Sequence, residues 1–400
     1  MASVRGVVVL VLSLVLALCV PSPPAAAQAA VRETVAENLN WPVSVAIVPE
    51  TVPGFPAGAI LFNERITGNL RVLVDGILRP DPVVSVAVEA SGEQGLLGLA
   101  LDPDWAASPW AYAYHTYFNA SLARDSNRVV RFGLGEQPRR MEVVLDGIPA
   151  GFVHNGGILG FAPDATLFIT TGDAQDMANS QDNGTLAGKI LRVNRDGTIP
   201  TDNPIPGSPV YSLGHRNVFG LAFHPVTGTP YISENGPSGN DEVNLVEPGR
   251  NYGWPIVQGG ADDPRFVDPI LTFTSTIAPT NLAFYTGANA SLRNALFLGD
   301  WNRGVLQRIE LAPPDFRDVT SMTVADTLGP NGILDVEMGP DGHLYVSTPN
   351  AIYRLIAPAD GPLPPSGVPA VLLVVLAVIA AAVVLIAWGV IRQRRGPPPR

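Results

Sequence analysis

Cysteine and lysine are almost missing from this chain of 400 residues. The one cysteine, Cys19, lies in the N-terminal apolar run, so no disulfide can staple the body of the protein. Leu18 precedes it where a lipid-anchored cysteine wants a small residue. Lys189 is the one lysine, and the formal net charge is −11. A chain this acidic offers no basic field to nucleic acid, which excludes that class of partner. Helical periodicity is scarce as well. Short apolar runs end in Pro, Asp and Gly turns, a pattern that reads as all-β.

The two ends carry the long apolar runs that the body lacks. Arg5 precedes an apolar stretch from Val7 to Val20, followed by prolines and the small residues Ala25 to Ala27. Residues 1–27 are therefore expected to be a secretory signal peptide. At the other end, Ala370 to Ile391 is uninterrupted by charge and is followed by Arg392, Arg394 and Arg395. At 1.5 Å per residue such a run spans a bilayer core, and the arginines hold its end in the cytoplasm. The expected order is a body at 31–357, a Pro-rich spacer at 358–367, a transmembrane helix at 368–391 and a basic tail at 392–400. That order exports the body and anchors it in the cytoplasmic membrane, facing outward.

The body contains a repeat. WPVSVAIVP begins at 41, GLLGLALDPDW at 95, GGILGFAPDATLFITTGD at 156, VFGLAFHPVTGTPYISENG at 218, APTNLAFYTG at 278 and GILDVEMGPDGHLYVST at 332. Each is an apolar strand, a turn and, in most, a second apolar strand. Several modules close with a run such as GKILRVN, GVLQRIEL or AIYRL. A spacing of roughly 55–60 residues suits a four-stranded sheet, and radial repetition of such sheets makes a propeller. Six modules predict a six-bladed β-propeller, in which residues distant in sequence converge at the mouth of a central channel.

Three segments are polar where a plain blade needs no polarity. HNGGILGFAPDATLFITTGD runs from His154 to Asp173, SLGHRNVFG holds His215, Arg216 and Asn217, and SENGPSGNDEVNLVEPGRNYGWP holds Glu234, Asn235, Asp241 and Glu242. A histidine can take a proton near neutral pH, a carboxylate can orient it, and a guanidinium can stabilise a developing oxyanion. These are the parts needed to oxidise an alcohol by proton abstraction and hydride loss. The same histidine and aspartate would also suit a turn and its cap, so spacing alone leaves both readings open. In the third segment, carboxylates together with glycine-exposed carbonyls suit a hard cation such as calcium, and Asp262 and Asp263 follow shortly after.

Taken together, GEQGLLGLALDPDW, the 154–173 stretch, AGKILRVNRDGTIPTDNP, SLGHRNVFGLAFHP, SENGPSGNDEVNLVEPGRNYGWP and GILDVEMGPDGHLYVST resemble the soluble quinoprotein glucose dehydrogenases and aldose sugar dehydrogenases, the glucose/sorbosone dehydrogenase family. The resemblance covers about residues 40 to 356. It implies a six-bladed propeller that binds pyrroloquinoline quinone (PQQ) and calcium and oxidises the anomeric carbon of a sugar, passing electrons to a separate acceptor. It implies that His154 is the base, that Asp173 supports it, and that Arg216 and Asn217 contact the quinone. The carbonyls of Gly236 and Pro237 would hold the cofactor's calcium. Glu242, Tyr252 and Asp262, with Asp241 nearby, would match a second calcium site.

The chain departs from the family at several cofactor-binding places. Glu93 stands where glutamine is frequent, Asn235 where Gln or His precedes Gly-Pro, and Asn302 in the motif that usually supplies a lysine. Gly332 and Leu334 stand where two arginines are usual. Removing three cations from a pocket for a polycarboxylate weakens its attraction for that ligand. The alternatives to a PQQ-dependent dehydrogenase are therefore an anchored binding propeller without cofactor, and a calcium-dependent hydrolase on the same frame.

Overall fold

The computed structural model describes residues 31–135, 138–329 and 332–357. The expected signal peptide, spacer, transmembrane helix and tail lie outside the described residues. Among the described residues, no helix is long and apolar enough to cross a membrane.

Six antiparallel sheets form the body. Their innermost strands are Pro42–Ile47, Leu96–Leu101, Leu159–Phe161, Val218–Phe223, Pro279–Phe284 and Asp335–Met338, and each lies in one of the six sequence modules. Successive innermost strands touch, and the last touches the first, so the sheets close into a six-bladed propeller. Each pair of neighbouring blades shares one apolar core. Leu61, Leu99 and Phe132 belong to the core between blades one and two, and Tyr231, Leu282 and Phe284 to that between four and five. Burying a side chain of this size stabilises the fold by about 1.5–3 kcal/mol, and the seams repeat that gain around the ring.

The runs GKILRVN, GVLQRIEL and AIYRL do not close their modules. They are the third strands Lys189–Val193, Val305–Leu311 and Ala351–Ile356, and a fourth strand lies outside each. The outermost strands carry a weak apolar signal because much of their surface faces water, as Val319–Thr327 shows. In the last blade the outer strand is Val31–Glu37, which pairs with Ala351–Ile356. The first described strand thus fastens the ring shut.

Polar side chains stitch the innermost strands together. The Ser44 hydroxyl accepts from the Leu99 N–H at 3.1 Å, and Asn281 Oδ1 accepts from the Leu221 N–H at 3.0 Å. Asp335 joins three blades: its carboxylate accepts from the Val45 N–H at 2.6 Å and from Asn281 Nδ2 at 2.7 Å. These bonds satisfy polar groups that would otherwise be stranded in the core.

Two residues along the same strand, Glu337 lines a cavity of about 430 Å³ inside the channel. Burial, and then the charge of Asp335, push its carboxyl well above the usual carboxylate range. Burial lifts Asp335 too, to about 6, but hydrogen bonds from Asn281 and from the Val45 and Val336 N–H groups restrain the rise. Glu337 is therefore the member of the pair that keeps a proton at neutral pH. Because the folded form keeps that proton longer than the unfolded chain, this contribution to stability falls as pH rises above the ordinary glutamate value. Glu337→Gln is expected to unfold at a higher temperature than the native protein at pH near 8 and at the same temperature at pH near 4, which thermal unfolding at the two pH values checks.

Candidate active site

Three loops at one end of the propeller meet through their backbones. Gly172 and Asn217 form an isolated antiparallel bridge, and the Asp173 N–H donates to the Arg216 carbonyl at 2.7 Å. The Ala174 N–H donates to the His154 carbonyl at 3.1 Å. Gly172 is required by this approach, since a Cβ there would lie 2.1 Å from the His154 oxygen. His154 itself has φ +63°, a left-handed conformation that histidine adopts more readily than most residues.

The side chains of His154 and Asp173 are a bonded pair. His154 Nδ1 lies 2.8 Å from Asp173 Oδ1, which also accepts from the Gln175 N–H at 2.8 Å. Asp173 Oδ2 accepts from the indole Nε1–H of Trp254 at 2.9 Å. Asp173 is 1% exposed, whereas the His154 side chain is 17% exposed. A carboxylate accepts only, so the proton sits on His154 Nδ1 and Nε2 carries the lone pair. Nε2 has no hydrogen bond to any described residue. The arrangement fixes the tautomer and ring plane of the imidazole from behind, which is the geometry a proton acceptor needs.

Glu93 connects this pair to a neighbouring cavity. Its Oε2 accepts from the His154 N–H at 2.7 Å and from Asn217 Nδ2 at 3.3 Å. Glu93, Asn217 and Asn235 line a cavity of about 250 Å³, together with Trp41, Trp301 and Arg65. Arg216 Nη1 donates to the carbonyls of Asn235 and Gly236, at 2.8 and 3.0 Å, and its guanidinium lies 5.4 Å from the centre of the Trp254 ring. Burial lowers the Arg216 pKa from its usual value, against the opposing pull of Asp173 and Glu234, yet an arginine stays charged.

A smaller cavity beside it is bordered by Gly236, Pro237, Glu242, Tyr252 and Glu234. Glu242 is pushed up to about 7, by burial and then by the charge of Glu234. Asp241 is committed elsewhere. Its carboxylate accepts from the Gly236 N–H at 2.8 Å, and from Thr276 Oγ1, the Ile277 N–H and the Ala278 N–H at 2.6–3.0 Å. It braces the loop that carries Gly236 and Pro237. The Tyr252 hydroxyl donates to the Leu245 carbonyl at 2.6 Å and accepts from the Glu247 N–H at 2.9 Å. Asp262 is exposed and is not brought to this group. Among the described residues, no three His, Cys, Asp or Glu side chains cluster as a metal site, so a cation here would lean on carbonyl oxygens.

Asn302 also lies away from the larger cavity: it is exposed, and its Nδ2 donates to the Thr276 carbonyl at 3.1 Å. Arg303 does not replace the missing lysine, because its Nε is paired with Asp300 and its side chain is half exposed. His215, also part of the polar constellation, is fully buried between Ser212 and Glu234 and stacks on Tyr252 at 4.7 Å. It is a structural histidine. Lys189 is buried too: its Nζ donates to the carbonyls of Asn179 and Ala187, at 2.6 and 2.8 Å, and ties down the loop that follows Asp173. Sequence reasoning missed Trp254, Arg65, Trp41 and Trp301. Trp254 lies in the quoted GRNYGWP phrase, Trp41 precedes the innermost strand Pro42–Ile47 and Trp301 follows the second strand Leu296–Asp300, but nothing in a sequence aims an indole.

A family model described as glucose/sorbosone dehydrogenase matches residues 47–357. The chain belongs to this family. Quinoprotein glucose dehydrogenase B of Acinetobacter calcoaceticus is 28% identical, with 80% of this chain and 85% of that protein covered. Among solved structures, one from Thermus thermophilus described as an oxidoreductase (glucose dehydrogenase) is 36% identical, with TM-score 0.73 over 82% of this chain and all of that one. The PQQ-bound form of aldose sugar dehydrogenase from Streptomyces coelicolor is 32% identical, with TM-score 0.70 over 84% of this chain and 99% of that one. As a member of the family, the protein is a sugar dehydrogenase by its relatives, and the His154 pair lies in the matched region.

Proposed function

We propose that the protein oxidises an aldose at its anomeric carbon, with PQQ as the hydride acceptor and His154 as the base. The observation that carries this reading is the bonded chain Trp254–Asp173–His154, which leaves Nε2 of His154 unpaired and whose His154 N–H is held by Glu93, a residue lining an aromatic cavity. PQQ is a flat, polycarboxylated quinone, and the cavity residues fit such a group. Trp41 and Trp301 offer apolar ring surface, Asn217 and Asn235 offer amides, and the buried Nε of Arg65 has no hydrogen-bond partner. When bound, PQQ supplies a two-electron acceptor for the hydride.

The chain's own residues do the rest. His154 Nε2 takes the proton of the sugar's anomeric hydroxyl, and Asp173 stabilises the imidazolium that results. Arg216, fixed by two carbonyls and the Trp254 face, places a positive charge next to the site of oxidation. Calcium suits the smaller cavity by residue chemistry, since Glu234 and Glu242, whose charges repel, line it together with Gly236 and Pro237. A separate acceptor then removes the electrons. We place the propeller outside the cytoplasmic membrane, anchored by the 368–391 helix, on the strength of the terminal sequences.

Reconstituting the 31–357 domain with PQQ and calcium is expected to give dye reduction that depends on both an aldose and PQQ, and that EDTA lowers. Absence of PQQ binding at micromolar cofactor would sink the reading and leave a propeller that recognises its ligand without oxidising it.

A further inference from the structure

The cationic places usual for the family's cofactor are filled here by apolar or neutral residues, yet the cavity is not without positive charge. Arg65, in the turn after the strand Ile60–Glu64, is the one cationic residue among the described residues that line it. Its guanidinium lies 5.0 Å from the centre of the Trp41 ring. Its Nη1 donates to the carbonyls of Gly92 and Gln94, at 2.7 and 2.8 Å, so the head group is held in place from one side. Its Nε is buried and makes no hydrogen bond. Gly95 makes room for its stem, since a Cβ there would lie 2.7 Å from Arg65 Cγ.

The guanidinium is half buried, and a covered donor left unused there is costly unless something completes it. Glu93 is the carboxylate among the lining residues, and its charge offsets part of the cost of burying Arg65, but the two make no direct ion pair and Glu93 Oε2 serves the His154 N–H and Asn217. The remaining walls near the missing cations are Phe219, Trp301 and Leu334, which offer no charge. We propose that Arg65 is the anchor of this cavity for a single carboxylate of the bound quinone, while the rest of the ring system lies on apolar and amide surface. This deepens the PQQ reading and rests on it. It assigns to blade one a charge that the family's pattern takes from blades five and six, and it makes the affinity depend on one ion pair rather than several.

The test is a binding titration, read by quenching of tryptophan fluorescence, on the domain and on Arg65→Met and Arg65→Lys. Each is titrated with PQQ and with its uncharged trimethyl ester. Arg65→Met is expected to weaken PQQ by about 10–100-fold, the range of a charge-assisted hydrogen bond, while barely changing the ester. Arg65→Lys keeps the charge but not the planar fork and should fall between. If Arg65 only braces the Glu93 loop, Arg65→Met will weaken PQQ and its ester alike, and the inference is overturned. It is equally overturned if Arg65→Met leaves PQQ affinity unchanged. Should Arg65→Met fail to fold, Arg65→Lys decides by the same comparison of the two ligands. A wild-type domain that binds neither ligand would instead remove the PQQ reading itself, so the two failures are told apart.

Discussion

His154→Asn is expected to lower kcat by about 10²–10⁴-fold while leaving PQQ affinity unchanged, the span that general base catalysis covers. Asparagine is the informative replacement because it tolerates the φ of +63° that position 154 requires, whereas alanine adds backbone strain. The asparagine amide can also donate to Asp173 in place of Nδ1, so the buried carboxylate keeps a partner. What is lost is the free Nε2 lone pair. Steady-state rates at saturating sugar and cofactor, alongside a binding titration, check it. A variant that retains native kcat would remove His154 from the chemistry and return the pair to the role of a capped turn.

Asp173→Ala is expected to damage both activity and stability. It strands three donors that converge on one carboxylate: His154 Nδ1, the Gln175 N–H and the indole of Trp254. Each buried group left unpaired costs about 1–3 kcal/mol, so a loss of several kcal/mol in stability is expected. Without its partner the imidazole is free to put its proton on Nε2, and its charged form loses the facing carboxylate. A fall in kcat of about 10²–10⁴-fold is expected on that account. Asp173→Asn separates the two effects. The amide oxygen can still serve His154 and Gln175, which keeps the tautomer, while its NH₂ turns a donor toward the donor of Trp254. That variant should therefore retain more activity and more stability than Asp173→Ala, measured by steady-state rates and thermal unfolding.

Much of the architecture was legible because each blade announces itself. The innermost strands are apolar and begin after a turn, so WPVSVAIVP, GLLGLAL or VFGLAF is visible as a unit. The outermost strands were not legible, because half-exposed strands such as Val319–Thr327 mix polar and apolar residues without a stable pattern. For that reason GKILRVN, GVLQRIEL and AIYRL read as closing strands, although each is the third of four.

The site divides in the same way. His154, Asp173, Arg216, Asn217 and Glu93 were singled out from sequence, and the structure brings them together. Asn302 and Asp262 were singled out by position within motifs, and the fold leaves both exposed. Asp241 looked like one more acidic residue in a metal-suited segment, yet four donors from two loops consume its oxygens.

The sequence by itself determined the repeat, the number of blades, the family and the order in which the reactive residues occur, because those depend on strand patterning and on motifs read along one chain. Only the tertiary structure decided that Trp254 backs Asp173, that Arg65 and Leu334 line one cavity, and that Asp241 is spent on holding a loop. Closing the ring brings together residues from different blades, and side-chain direction there is set by contacts across blades that no local stretch of sequence contains.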